Sequence, residues 1–232
     1  MKILGIDTSG PVCSAALWAD DALKAETLIN SGLTHSETLM PALDNLLAGQ
    51  GLTCSDIDLF AAVAGPGSFT GVRIGICAAK ALAQATGRQC ARINSLEALA
   101  AGTASTALIC PILDARRGQV YCAAFKWEGT ALVRMLNDDA LPLEEFVSRL
   151  PEEELVFTGD GVRAYADKLK TMLGSRAVIL PSHIAMLRAG AACFLAQTRP
   201  ECVLPPEMLT PIYLRAPQAE RERNERLTRE RA

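Results

Sequence analysis

Three short stretches carry residue types whose spacing suits chemistry. The first is Gly65-Pro66-Gly67-Ser68-Phe69-Thr70-Gly71, which follows an apolar run from Leu59 to Ala64 and precedes a helical pattern. Gly65, Gly67 and Gly71 admit backbone geometry closed to other residues, and Ser68 or Thr70 suits the cap of the following helix. The uncapped N–H groups, with the positive end of the helix dipole, suit an anion; the pattern equally suits a tight strand-to-helix turn without a ligand. The second stretch, Asp7-Thr8-Ser9, ends an apolar strand and suits either phosphate or magnesium binding or the needs of its own turn. The third, Asp114-Ala115-Arg116-Arg117-Gly118, separates two apolar runs. Metal chemistry has few donors here: His35 and His183 lie far apart, and none of the eight cysteines has C-x-x-C spacing. His35, beside a helix start, reads as a hydrogen-bonding element.

The elements that must position these stretches follow from periodicity. Lys2 to Thr8, Cys13 to Trp18 and Leu23 to Ile29 read as a three-strand meander. Thr34 to Gly49 reads as an amphipathic helix with Leu39, Met40, Leu43, Leu46 and Leu47 on one face; Thr34 and Glu37 have capping-box spacing, whereas Pro41 argues for a kink or for a later start with Thr38 as cap. In the helix after the glycine turn, Ile74, Cys77, Ala78, Ala81, Leu82 and Ala85 share a face, and Gly75, Ala78, Ala79 and Ala83 let a second backbone approach closely.

Further on, Gln89 to Ile93 is a strand, and Asn94 caps a helix to about Ala104. Ala107 to Leu113, Gln119 to Trp127 and Leu132 to Leu136 form a second meander. A helix from Leu143 to Leu150 follows, then a strand from Glu154 to Thr158 ending at Gly159-Asp160-Gly161. The remaining elements are a helix from Val162 to Leu173, a strand from Ala177 to Leu180 and a helix from Ser182 to Gln197. A meander followed by alternating helices and strands, twice over, predicts a duplicated α/β architecture. The expected divisions are 1–104, 105–217 with a proline-rich extended return, and a charged tail over 218–232.

With 232 residues, half of them apolar, the chain has material for a sizeable core. A net charge of −3 gives no general electrostatic case for binding nucleic acid, so an RNA role asks for a basic partner. The apolar runs are too short to span a bilayer, and the cysteines within them read as reduced core thiols of a cytoplasmic protein.

Taken in order, GIDTS (5–9), HSETLMPAL (35–43), GPGSFTGVRIG (65–75), LDARRGQVY (113–121) and PIYLR (211–215) resemble the TsaB, or YeaZ, family over nearly the whole chain to Arg215. The resemblance implies a two-lobed actin-like, hexokinase-like ATPase (ASKHA) fold with duplicated mixed sheets. It also implies a non-catalytic scaffold in the placing of a threonylcarbamoyl group on the adenosine beside the anticodon of tRNA. TsaD, carrying the active site, and the small ATPase TsaE are the implied partners, with tRNA reached through the complex, a homodimer when the partner is absent, and no membrane.

In the catalytic relative a helix carries His-x-x-x-His as a metal site; here the matching positions are Ser95 and Leu99, so no metal is expected. Asp7, Thr8 and Ser9 stand at a degenerate first phosphate turn, arginines fill the second, and Gly159 and Gly161 match the base-binding turn. Only weak or interface-shared ATP or ADP is therefore expected. The expected partner interface is a leucine ridge (Leu39, Leu43, Leu46) with a small-residue surface (Gly75, Ala78, Ala79, Ala83). The competing readings are a metallopeptidase and a phosphotransferase of the same fold.

Overall fold

A computed structural model of the chain describes residues 1–215, so the expectation for 218–232 lies outside the described residues. The first half runs β1 (Ile3–Asp7), β2 (Cys13–Ala19), β3 (Ala22–Ile29), α1 (His35–Ala48), β4 (Leu59–Val63), α2 (Phe69–Thr86), β5 (Gln89–Ile93) and α3 (Ser95–Ala101). The second half repeats the series as β6 (Leu108–Asp114), β7 (Gln119–Glu128), β8 (Ala131–Pro142), α4 (Leu143–Ser148), β9 (Leu155–Thr158), α5 (Gly161–Leu173), β10 (Ala177–Ile179) and α6 (Ala189–Thr198). The sheets have the same order, β3-β2-β1-β4-β5 and β8-β7-β6-β9-β10, with the two-residue β11 (Val203–Leu204) added to β5. This is the duplicated, two-lobed actin-like arrangement that the resemblance implies.

Every residue of β1 and β4 is buried, which explains why these strands are apolar runs rather than alternating ones: layers cover both faces of the sheet. The halves exchange their last helices. α3 packs against β6 and β7, while α6 lies on β1 and β2. A methyl group on Gly5 would come 2.6 Å from both the Ala189 carbonyl oxygen and the Cys193 Sγ, so α6 approaches β1 backbone to backbone. The buried Ser14 hydroxyl accepts the Ala189 N–H at 2.9 Å, and Glu26 accepts the Gly190 N–H at 2.8 Å while pairing with Arg188.

Several expectations are corrected. α1 starts at His35 rather than after Thr38, because Glu37 accepts from both the Thr34 N–H (3.0 Å) and hydroxyl (2.6 Å); Pro41 is carried inside the helix. Met40 leaves the leucine face and is 43% exposed. Residues 182–188 are not helical: the Ala185 carbonyl accepts the Gly159 N–H at 2.8 Å, so this segment serves a tertiary contact and α6 begins at Ala189.

The orientation of α2 is the largest correction. Its core stripe is Val72, Gly75, Ile76, Ala79 and Ala83, while Cys77, Ala81 and Ala85 are exposed and Ile74, Ala78 and Leu82 half-buried. The glycine and alanine stripe faces inward because it lets α2 lie close on β1 and β4. Leu39, Leu43, Leu46, Gly75, Ala79 and Ala83 are thus buried within the chain's own core and are not a partner surface; of the expected set only Ala78 reaches the outside.

Gly5→Ala forces α6 away from β1, and we expect it to lower unfolding free energy by about 2–3 kcal/mol in urea titrations, with a melting temperature to match. An unchanged midpoint would show that the α6 contact yields easily.

Candidate functional site

The residues singled out by sequence come together around the end of β1, but they face one another. Ser68 caps α2, accepting the Gly71 N–H at 3.2 Å; Thr70 is exposed and does not cap. The Ser68 N–H donates to the Ser9 carbonyl at 2.7 Å, and the Thr8 hydroxyl donates to the Gly71 carbonyl at 2.7 Å. A Cβ on Gly71 would meet the Thr8 carbonyl oxygen at 2.0 Å, one on Gly67 the Ser9 carbonyl oxygen at 2.3 Å, and one on Gly75 the Thr8 hydroxyl at 2.6 Å. The glycines therefore make room for the chain's own Thr8–Ser9 backbone, and the cradle that would suit a phosphate is filled from within. His35 fastens the hairpin tip, its Nε2 donating to the Gly10 carbonyl at 2.8 Å.

Between the lobes, Asp7, Ser9 and Gly10 of the first half face Leu113 and Asp160 of the second, with Val12, Met186 and Leu187 filling the remainder. The space left is about 20 Å³, room for one water, whereas small-molecule sites measure roughly 300–1,000 Å³. Asp7 uses Oδ1 to accept the Ser9 N–H at 2.8 Å, while its Oδ2 and the Ser9 hydroxyl are buried without partners. Burial pushes the Asp7 carboxyl up to about 6; hydrogen bonding from Ser9 and then the charge of His35 oppose the shift, and Asp160 adds a little to it. Asp160 is raised by burial as well, although its Oδ1 accepts the Asp114 N–H at 3.1 Å. Sequence reasoning passed over Asp160 as a partner of Asp7, since nothing local announces a pairing across 150 residues.

The second turn closes the β6–β7 hairpin. Arg116 and Arg117 take left-handed backbone angles, φ 65° and 55°, followed by Gly118 at 75°. Left-handed conformations cost a non-glycine residue on the order of 1 kcal/mol each. Asp114 steadies the turn by accepting the Arg116 N–H at 2.9 Å.

At the positions that match the metal helix, Ser95 donates its hydroxyl to the Pro66 carbonyl and its N–H to the Gly65 carbonyl at 2.9 Å. Leu99 is buried in the core against Gly159. These residues do not fit a metal: one hydroxyl is committed to the glycine turn and the other side chain has no donor atom. Among the described residues no group of three or more His, Cys, Asp or Glu is placed to hold a metal ion, and no helix is long and apolar enough to cross a membrane.

Comparison with known proteins places the chain in a family. The family described as TsaD, tRNA N6-adenosine threonylcarbamoyltransferase, matches residues 31–221. The tRNA threonylcarbamoyladenosine biosynthesis protein TsaB of Bacillus subtilis is 33% identical over 223 residues, covering 95% of this chain and 96% of that one. The chain belongs to the TsaB family. The Escherichia coli TsaB is 32% identical over 225 residues, 93% of this chain and 95% of the relative. The crystal structure of YeaZ from Pseudomonas aeruginosa superposes with a TM-score of 0.79 at 26% identity, over 92% of this chain and 99% of that one. For this TsaB-family chain the resemblance drawn from the motifs therefore holds along the described length.

Asp7 supplies a pH signature. Its folded-state value lies above the ordinary 3.8, so the folded chain holds a proton that the unfolded chain releases, and stability falls as pH rises from about 4 through about 6. Asp7→Asn keeps the acceptor for Ser9 and removes the titration. The stability of the variant relative to wild type should rise by on the order of 2 kcal/mol between pH 4 and pH 7 in denaturant titrations. A pH-independent difference would contradict the buried-carboxyl assignment.

Proposed function

We propose that this chain is a non-catalytic scaffold subunit in tRNA threonylcarbamoyladenosine biosynthesis, working in the cytoplasm with a TsaD-type transferase and the TsaE ATPase, with no metal or nucleotide of its own. The observation that carries the reading is the helix at Ser95–Ala101. Where the catalytic relative holds its metal, Ser95 secures the glycine turn and Leu99 packs in the core. The narrow space left among Asp7, Ser9, Gly10 and Asp160 supports the same reading. The relatives named for threonylcarbamoyladenosine biosynthesis supply the pathway. Ser95 and Leu99 at the metal positions weigh against a metallopeptidase, and the narrow space between Asp7 and Asp160 weighs against a phosphotransferase.

Partner binding then belongs to the outside of α1 and α2. Ile74, Cys77, Ala78 and Ala81 form an apolar strip along the outer side of α2, and Met40 is exposed on the neighbouring α1. A strip of small apolar residues on the outer side of a helix suits coverage by another helix. The same strip serves a homodimer when the transferase is absent.

Ala81→Arg places a cation on this outer side without touching the core. The variant should fold with a wild-type melting temperature, lose association with the transferase by at least about tenfold in affinity, and fail to support tRNA modification in the reconstituted system. Wild-type association by Ala81→Arg would move the interface elsewhere, and modification of tRNA by the purified chain alone would overturn the scaffold reading.

A further inference from the structure

Two acidic side chains from opposite halves of the fold, Asp7 at the end of β1 and Asp160 at the cap of α5, line one small space together with Ser9 and Gly10. Each carboxyl commits one oxygen within its own half. Asp7 Oδ1 accepts the Ser9 N–H at 2.8 Å, and Asp160 Oδ1 accepts the Asp114 N–H at 3.1 Å. The second oxygens turn toward the other half. Asp7 Oδ2 is buried without a partner, and Asp160 Oδ2 lies 3.8 Å from where a Cβ on Gly10 would stand, so it reaches the hairpin tip that follows Asp7. The hydroxyl of Ser9, a residue 2% exposed, is likewise buried without a partner.

The space measures about 20 Å³, which admits one water and nothing larger. A buried water asks for two to four polar partners, and Asp7 Oδ2, Ser9 Oγ and Asp160 Oδ2 supply three, drawn from both halves. The other side chains around it, Val12, Leu113, Met186 and Leu187, are apolar and offer no bond in its place. Two buried polar atoms left unmade side by side would each lose their full hydration, so a water bound here answers a need that the chain itself leaves open.

A water can bond to a carboxyl in either protonation state; the proton decides the charge. Toward Asp7 the titratable neighbours are His35 of α1, whose Nε2 is committed to the Gly10 carbonyl at 2.8 Å, and the buried Cys13 thiol of β2. Toward Asp160 they are Asp114 of β6, another acid, and Arg116, which pairs with Asp114 at 3.6 Å. β4 and the buried stripes of α2 and α6 carry no charged side chain. Asp7 and Asp160 therefore face each other as like charges unless one of them holds a proton, and burial makes Asp7 the holder, with its carboxyl pushed up to about 6.

We propose that one water held by Asp7, Ser9 and Asp160 joins the two halves of the fold, and that this joint is tight only while it contains one proton. A ligand bridging two lobes closes them by bonding to both; in this chain a water and a proton take that part. Below about pH 4 Asp7 is protonated whether the joint is closed or open. As pH rises from about 4 through about 6 the open form releases the proton first, so closing weakens about tenfold per unit and on the order of 100-fold in all, with no further change above. The inference concerns the interior of the chain and does not depend on the scaffold reading.

Hydrogen exchange of the full chain tests it from the half that lacks Asp7. The amides of Asp114, bonded to Asp160, and of Gly159, bonded to Ala185, sit beside the joint. After correction for intrinsic rate, their protection should fall by about 30- to 100-fold from pH 4 to pH 7 in the wild type and stay level in Asp7→Asn, which keeps an acceptor for Ser9 and does not ionise. Level protection in the wild type, or an equal fall in Asp7→Asn, would overturn the inference. A second measurement follows the Asp7 carboxyl by carbon NMR. Asp160→Asn keeps an acceptor for the Asp114 N–H and removes the facing charge, so the Asp7 midpoint should drop by at least about half a unit. An unchanged midpoint would show that Asp7 is raised by burial alone and that the halves share no proton. If Asp160→Asn does not fold, the exchange comparison decides without it. A water-to-amide Overhauser signal at Ser9 at pH 4 is the expected mark of the bound water, and its absence also counts against the joint.

Discussion

The Thr8 carbonyl oxygen lies 2.0 Å from where a Cβ on Gly71 would stand, and most of the architecture depends on that contact. It brings the end of β1 against the first turn of α2, and the bonds from Thr8 to Gly71 and from Ser68 to Ser9 close it. The glycine turn so formed offers its Gly65 and Pro66 carbonyls to Ser95, which fixes the start of α3. α3 in turn packs on the second sheet and carries Leu99 to Gly159. One close backbone approach thus propagates from the first strand to the opposite lobe.

Its consequence for function is a displacement from the interior to the surface. A glycine turn and a helix start usually make an anion site because their N–H groups look outward. Here the Ser68 N–H and the Gly71 N–H are taken by the chain's own oxygens. The exchange of α3 and α6 between halves holds the lobes together, and Leu113, Met186 and Leu187 close what remains of the cleft. The cost falls on Asp7, whose second oxygen is buried without a partner and whose carboxyl retains a proton well above the ordinary range. What faces solvent instead is the outer side of α2, where Cys77 and Ala81 are exposed.

The duplicated meander was legible in sequence because its central strands are apolar on both faces and its turns are marked by polar residues. The Asn94 cap announced the start of α3 because its partner is three residues away, whereas Pro41 obscured the equally local Thr34 and Glu37 pair at α1. The orientation of α2 was not legible. Its larger residues, Ile74 and Leu82, suggested one face, but close packing on the sheet selected the glycine and alanine side, and size lost to proximity. The start of α6 was missed because the Gly159–Ala185 bond joins residues far apart in sequence, which no local pattern announces. The pairing of Asp7 with Asp160 and the left-handed arginines were equally silent, since both depend on contacts or angles that no local pattern encodes.

The central claim is that this chain fills its own ligand site and acts by contact. Isothermal titration of the purified chain with ATP and magnesium tests it most directly. The account predicts no saturable binding at millimolar nucleotide; stoichiometric binding at micromolar nucleotide would show that the cleft opens and would contradict it.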